Sequence, residues 1–371
     1  MKKIYSILIA AMVISSCTDT DALNPVNQVR ISDATAFATP ARVKQEVLGM
    51  YSGVKHGEFY GGRYFNYQDI RGEEFNNEKT NGVTNLLTWN FGLQSSTNEV
   101  NTLWYRGYLA INRCNVVMNG LDTSPIDAAL KTQYKAEASF LRALSYYSLL
   151  TLYARPYWDG NGSKPGLPLR LNAETSSGKS DLVRSTVAQV YDQILIDLDF
   201  AEANLLATNG SVYDNTTRAH KNTAIALKTR VYLSMNKYDK VIFEANKIVS
   251  AAAPFASTSG VSNKLAPTIA SVFATPALTS ENMFSFAYSP TDIPGTQNSL
   301  VSYYNPTLGT GEYSLLTTGI ISNAGWKTTD ARRALNVVSA GKTYLNKWSK
   351  SSSDPDYVAV IRYAEVLLNL S

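Results

Sequence analysis

Two stretches of the chain repeat apolar residues with the spacing of an α-helix, and they constrain the fold more than any other feature. From about Thr97, small and apolar residues recur every three or four positions, which places on one helical face Val100, Trp104, Gly107, Ile111, Cys114, Met118 and Leu121. Residues 128–153 are apolar over a wider arc, which indicates a helix buried between neighbours. We therefore expect Cys114 and Phe140 to be core residues.

Other segments extend the helical pattern. Pro40 suits the first position of a helix, and Thr186 and Gln189 have the spacing of a capping box. A later segment places on one side Tyr238, Ile242, Ala245 and Val249. A large aromatic residue followed seven positions later by alanine is typical of tetratricopeptide repeats. We predict a mainly α protein, with tetratricopeptide-like helical hairpins and long irregular loop insertions that form a ligand face.

Residues 56–95 interrupt this pattern and are rich in glycine and aromatic residues. The stretch "YSGVKHGEFYGGRYFNYQDIRG" favours a loop that presents rings, which can stack on sugar faces while polar side chains bind hydroxyls. The same rings could instead pack the loop onto the helices beneath it. The candidate ligand-binding residues are Tyr60, Tyr64, Tyr67, Asp69 and Arg71, with Trp89 and Trp326 from other irregular stretches.

The start of the chain has the pattern of an export signal. Lys2 and Lys3 precede a short apolar run, and two serines then lead into Cys17. Residues 1–16 therefore read as a signal peptide, and the junction resembles a bacterial lipobox. We expect Cys17 to carry a lipid.

Residues 17–35 then form a polar tether. The pair Asp19 and Asp21 resembles the signal that sends lipoproteins of the Bacteroidota to the outer face of the outer membrane. The expected location is the outer membrane, through a lipid anchor, facing the cell exterior.

Composition and motifs argue against several other classes of protein. The formal net charge of +4 and the absence of a basic stripe argue against nucleic acid as a partner. Two histidines and one cysteine besides Cys17 leave little material for a metal site, and we predict no cofactor. Glu73 and Glu74 are paired carboxylates, but adjacent residues seldom point into one cleft as glycoside hydrolysis requires. We predict a protein that is not an enzyme.

Four blocks resemble the RagB/SusD family of outer-membrane glycan-binding lipoproteins. They are "WYRGYLAINRCNVVM", "KAEASFLRALSYYSLLTLYARPYW", "RSTVAQVYDQILIDLDFAEANL" and "IRYAEVLLN". On this resemblance, residues 36–252 correspond to the N-terminal helical region and residues 253–371 to a C-terminal region that we expect to be truncated.

The resemblance implies that the protein captures an oligosaccharide or polysaccharide and passes it to a SusC-like TonB-dependent porin. A second interpretation is a helical-repeat adaptor that binds only protein or peptide. A third is a surface glycosidase, which would need two convergent carboxylates. Crowded aromatic residues favour the first interpretation, whereas rings packed shut against the scaffold would favour the second.

Overall fold

The structure, a computed structural model, describes residues 35–80, 82, 85–176, 181–295 and 297–371. The predicted signal peptide, Cys17 and its acidic neighbours lie outside the described residues. The helices are α1 (Pro40–Val54), α2 (Arg63–Ile70), α3 (Leu86–Trp89), α4 (Asn98–Thr123), α5 (Ala128–Tyr153), α6 (Val187–Asn204), α7 (Val212–Thr217), α8 (Lys221–Ser234), α9 (Tyr238–Ala245), α10 (Ile269–Phe273), α11 (Leu300–Tyr304) and α12 (Tyr363–Leu370). Among them, none is both long and apolar enough to cross a membrane.

Side chains cap the first turn of the two helices whose starts the sequence predicts. Thr39 accepts a hydrogen bond from the Arg42 backbone at 3.3 Å, with Pro40 as the first helical residue. Thr186 and Gln189 form a complete capping box, in which each side chain accepts from the other's backbone, at 3.2 and 2.8 Å. Both predicted helix starts are confirmed.

The helical hairpins pack around α5, which lies against both α4 and α6. Every residue from Ala136 to Leu150 is buried, as the wide apolar arc predicts. Gly107 in α4 permits close contact, because a Cβ there would lie 2.7 Å from Leu149 of α5. Cys114 and Phe140 are fully buried. The mainly α, tetratricopeptide-like fold is confirmed.

The structure corrects one predicted helical face. Ala245 and Val249 are buried, but Tyr238 and Ile242 are 59% and 49% exposed. The reason is that α9 packs through Val241, Glu244 and Ala245, so its buried face is turned away from the two exposed side chains.

Short antiparallel strand pairs tie the later residues to the earlier ones. The strands are β1 (Phe75–Asn77), β2 (Asn282–Phe286), β3 (Tyr313–Leu315), β4 (Asn336–Ser339), β5 (Lys342–Leu345) and β6 (Val358–Arg362). Strand β1 pairs with β3, β2 with β6, and β4 with β5. The β4–β5 hairpin turns at Ala340 and Gly341, both with positive φ, which matches a two-residue hairpin turn. The β1–β3 pair joins residues 56–95 to the C-terminal third of the chain.

Candidate functional site

The aromatic stretch of residues 51–72 is not the open loop that the sequence predicts. Helix α2 covers residues 63–70. The glycines before it allow two backbone segments to pack closely, and they do not serve to give the loop conformational freedom. A Cβ at Gly57 would lie 1.8 Å from the Pro294 carbonyl oxygen, and one at Gly62 would lie 1.7 Å from that of Asn298. Only glycine allows the two backbones to approach this closely.

The three tyrosines of this stretch belong to the core. Tyr60, Tyr64 and Tyr67 are all buried, and the rings of Tyr60 and Tyr64 lie 4.6 Å apart. Tyr60 donates to the Ser148 hydroxyl of α5 at 2.6 Å, and burial raises the pKa of Tyr60 well above its usual value. The expectation that these rings stand clear of the protein is therefore wrong. Burying several large rings stabilises the fold more than leaving them in water.

Asp69 and Arg71 lie at the C-terminal end of α2 and are exposed. The Tyr304 hydroxyl donates to the Asp69 carboxylate at 2.9 Å. Arg71 lines a recess of about 120 Å³ together with Tyr67 and Tyr153. This space is far below the roughly 300–1,000 Å³ of typical small-molecule sites.

Trp89 is half-buried at the end of α3. Its indole N–H donates to the backbone oxygen of Phe75 at 2.7 Å, so the polar edge of the ring is engaged by the protein itself. The ring also packs against the core. These contacts give Trp89 a structural role in holding α3 against β1.

Trp326 lines a cleft in the C-terminal third, which we call the Trp326 cleft. Its volume is about 250 Å³, slightly below the roughly 300–1,000 Å³ of typical small-molecule sites, so it has room for part of a glycan and not for a long chain. Its walls are the aromatic rings of Trp326 and Phe273, the polar side chains of Arg332, Asn336, Lys347 and Arg362, and the aliphatic side chains of Ile269, Leu315, Ile320, Leu335 and Leu345. Rings beside hydrogen-bonding groups are what a sugar requires from a binding site.

The loop around Trp326 holds the indole in place. The Trp326 backbone N–H donates to the Asn323 backbone oxygen at 2.9 Å, and Gly325 donates to the Asn323 side chain at 2.8 Å. The Arg333 guanidinium carbon lies 4.2 Å from the centre of the indole. A ring that is fixed before a ligand arrives loses less entropy on binding.

The cationic residues of the Trp326 cleft were missed by the sequence reasoning. Lys347 follows β5, and Arg362 ends β6, so only strand pairing brings them to the cleft beside Phe273 of α10. The sequence gives only a weak indication that these cations lie near aromatic rings: Lys347 precedes Trp348, and Arg332 follows Trp326 by six residues. Neither pattern distinguishes a cleft from an ordinary surface.

A larger recess, of about 620 Å³, lies between α1 and α4. Its aromatic residue is Phe37, and Gly120 leaves room for that ring because a Cβ there would lie 2.3 Å from it. The walls end at Ala36 and Thr175, each two positions from a stretch that the structure does not describe. The recess therefore offers a weaker basis for a ligand site than the Trp326 cleft.

The remaining groups with catalytic or metal-binding chemistry have structural contacts. Glu74 accepts from the Ile320 backbone N–H at 2.8 Å, and its neighbour Glu73 is exposed. His220 is buried with its ring nitrogen 3.3 Å from the Met283 carbonyl oxygen, and burial lowers its pKa to about 4. Within the described ranges, no group of three His, Cys, Asp or Glu residues could hold a metal ion.

Comparisons with a family model and with individual relatives agree on one family. A family model described as "Starch-binding associating with outer membrane", SusD-like, matches residues 29–233. The SusD-like protein P2 of Formosa agariphila is 25% identical over 261 residues, which cover 69% of this chain and 48% of that protein. The chain thus spans about half of the length of this relative.

Solved structures share the fold over most of the chain. A SusD superfamily protein from Bacteroides fragilis has a TM-score of 0.80 and 30% identity, covering 90% of this chain and 75% of that one. A laminarin-binding SusD-like protein has a TM-score of 0.69 and 17% identity, covering 90% and 80%. At the lower identity the likeness concerns the fold alone. Because the family model matches more than half of the residues and the Bacteroides fragilis structure shares the fold, this chain belongs to the SusD-like family.

Proposed function

We propose that the protein captures an oligosaccharide or polysaccharide at the cell surface without breaking any bond, and that the Trp326 cleft holds part of the glycan. The observation that carries the proposal is the pairing of two rings with four polar side chains in one cleft of a SusD-like chain. The description of the family as starch-binding supports it, as does the laminarin-binding protein of the same fold.

Binding would rest on stacking and hydrogen bonds. A ring stacked on a sugar contributes about 0.5–1.5 kcal/mol beyond its buried area. Two rings and a few hydrogen bonds suffice for micromolar-to-millimolar affinity, about −4 to −8 kcal/mol. Such affinity suits a protein that must release its ligand to a transporter.

The partner in this proposal is a SusC-like TonB-dependent porin, and the anchor is a lipid on Cys17. Exposed apolar side chains on α9 offer a surface for a protein partner: Tyr238, Ile242 and Phe243. The same surface, together with the burial of the tyrosine rings of residues 51–72, supports the alternative of a helical-repeat adaptor without sugar binding. Glycan retention separates the two functions, because an adaptor of this kind would retain none.

The Trp326→Ala variant should bind the protein's glycan about tenfold more weakly, because it loses the ring contact and the apolar area under the sugar. Affinity electrophoresis through gels that contain a panel of polysaccharides identifies the glycan, and titration calorimetry measures the loss. Trp158→Ala is the matched control, because Trp158 is 62% exposed and lies outside the cleft. Equal retention by the parent and the Trp326 variant would place the glycan elsewhere. No retention of any glycan by the parent would favour the adaptor.

The Cys17→Ala variant should leave the outer-membrane fraction, because the thiol that would carry the lipid is gone. Fractionation of cells that lack the porin partner measures this, with immunodetection of the protein. If the variant still sediments with the outer membrane in those cells, Cys17 is not the anchor.

A further inference from the structure

The polar wall of the Trp326 cleft carries a surplus of positive charge. Three of its side chains are cationic: Arg332, Lys347 and Arg362. No carboxylate is among the described residues that line it. Lys347 and Arg362 both approach the Phe273 ring, with the Lys347 nitrogen at 5.9 Å and the Arg362 guanidinium carbon at 5.6 Å from its centre. The two cations therefore converge on one aromatic ring.

Two of the three cations already have carboxylate partners outside the cleft. Arg362 pairs with Glu281 at 2.9 Å, and Arg332 pairs with Asp330 at 2.5 Å. The Lys347 ammonium forms no ion pair within 4 Å and no side-chain hydrogen bond with any residue that the structure describes. Of the three cations of the cleft, Lys347 is thus the one without a paired carboxylate, and the Asp69 carboxylate attracts it from beyond ion-pair distance.

The surroundings disfavour the positive charge of Lys347. Burial is the main cause that lowers the pKa of Lys347; the Asp69 carboxylate raises it, and the positive charges of Arg362 and Arg332 each lower it by a smaller amount. A negative group placed between these cations would remove the repulsion and would satisfy the ammonium donors. A neutral sugar would leave the repulsion in place.

We propose that the Trp326 cleft takes an anionic sugar unit, one that bears a carboxylate or a sulfate ester. Its charged group would lie against Lys347 and the free N–H groups of Arg332 and Arg362, and its ring against Trp326 or Phe273. Guanidinium and ammonium groups both form short charge-assisted hydrogen bonds with such oxyanions. This inference rests on the proposed function and narrows it from glycans in general to acidic glycans.

The test compares anionic glycans with neutral glycans of the same sugar backbone. It uses the full protein chain, tether included. One arm uses oligogalacturonates and their carboxyl-reduced products, and the other uses sulfated galactan oligosaccharides and their desulfated products. Calorimetry should show that the parent binds the charged member of at least one pair about tenfold more tightly, and the pair concerned tells carboxylate from sulfate.

Lys347→Gln should abolish that preference while leaving the affinity for the neutral chain unchanged. Lys350→Gln removes the same charge three residues later, outside the cleft, and should keep the preference. Lys347→Arg should also keep it. In the parent, the preference should fall as pH rises through the pKa of Lys347, because the ammonium is then lost, whereas in Lys347→Arg it should not.

The outcomes separate this inference from the proposed function. If the parent binds a neutral chain through Trp326 as well as its charged counterpart, or if Lys347→Gln keeps a preference for the charged chain, the acidic-glycan inference is wrong and glycan capture stands. If the parent retains no glycan, charged or neutral, both are wrong. Should Lys347→Gln fail to fold by circular dichroism, the pH dependence of the parent and of Lys347→Arg decides alone.

Discussion

The Asp197→Ala variant should lose about 3–5 kcal/mol of its free energy of unfolding, because it leaves a buried guanidinium without its partner. Asp197 in α6 accepts two hydrogen bonds from Arg142 in α5, from Nε at 2.8 Å and from Nη2 at 2.6 Å. Arg142 Nη1 donates to the Asn115 side chain in α4 at 2.8 Å. One buried cluster therefore joins the three long helices on which the fold depends.

The charge of Arg142 persists when Asp197 is removed. Burial opposes that charge, but in the parent the hydrogen bonds and the negative charge of Asp197 outweigh burial and raise the pKa of Arg142. An arginine does not escape this cost by releasing its proton, because its pKa is far above neutral even alone. The loss therefore appears as reduced stability.

Chemical denaturation followed by far-ultraviolet circular dichroism measures the effect. Asp159→Ala is the matched control, since Asp159 pairs with Arg155 at 2.7 Å on the surface and its removal should leave the midpoint unchanged. The double variant Arg142→Met with Asp197→Leu should recover much of the stability, because it removes the unpaired charge as well. If Asp197→Ala unfolds at the same denaturant midpoint as the parent, water reaches the Arg142 guanidinium.

The helices around this cluster could be predicted because their signals are local. In α4 and α5 each apolar position repeats within one or two turns, and the helix starts marked by Pro40 and Thr186 are predicted from no more than four consecutive residues. The buried face of α9 was less predictable, since Tyr238 and Ile242 continue the apolar pattern of the sequence but are exposed. A hydrophobic period shows which residues share a face but not whether anything covers it.

The packing of the aromatic stretch, residues 51–72, could not be predicted from sequence, because the residues that it packs against are distant along the chain. Glycines between tyrosines fit both a loop that presents rings and a segment pressed against another backbone. The second arrangement depends on Pro294 and Asn298, which lie more than 230 positions after the glycines that they meet, Gly57 and Gly62. Arg63 at the start of α2 donates to the Asn298 side chain at 2.8 Å across that separation. Nothing in residues 51–72 alone indicates this contact.

The Trp326 cleft shows the same limit in a functional region. Trp326 is a candidate ligand-binding residue because it lies in an irregular stretch of the sequence, and its role in ligand binding remains a prediction. Lys347 and Arg362 reach the cleft only through the β4–β5 hairpin and the β2–β6 pairing. A site assembled from segments spread over residues 269–362 has no compact motif, so its chemistry emerges only after folding.

The Phe140→Ala variant should lose about 3–5 kcal/mol of its free energy of unfolding, the range for removing a buried ring from a packed core. Phe140 is fully buried in α5, and its ring meets that of Phe284 in β2 edge to face, with centres 5.2 Å apart at 84°. Phe284 in turn packs against Phe286, with centres 5.2 Å apart. Phe140 thus joins the helical hairpins to the strand pair that follows them.

The cavity left by this truncation should not collapse, because α5 is held between α4 and α6 and cannot move toward β2. Denaturant titration measures the loss, and Phe243→Ala supplies the control. Phe243 is 62% exposed on α9, so removing the same ring there should change stability by no more than about 0.5 kcal/mol. A loss below about 0.5 kcal/mol at Phe140 would mean that the strand pair contributes little to the helical core, and that the two parts of the chain fold with weak coupling.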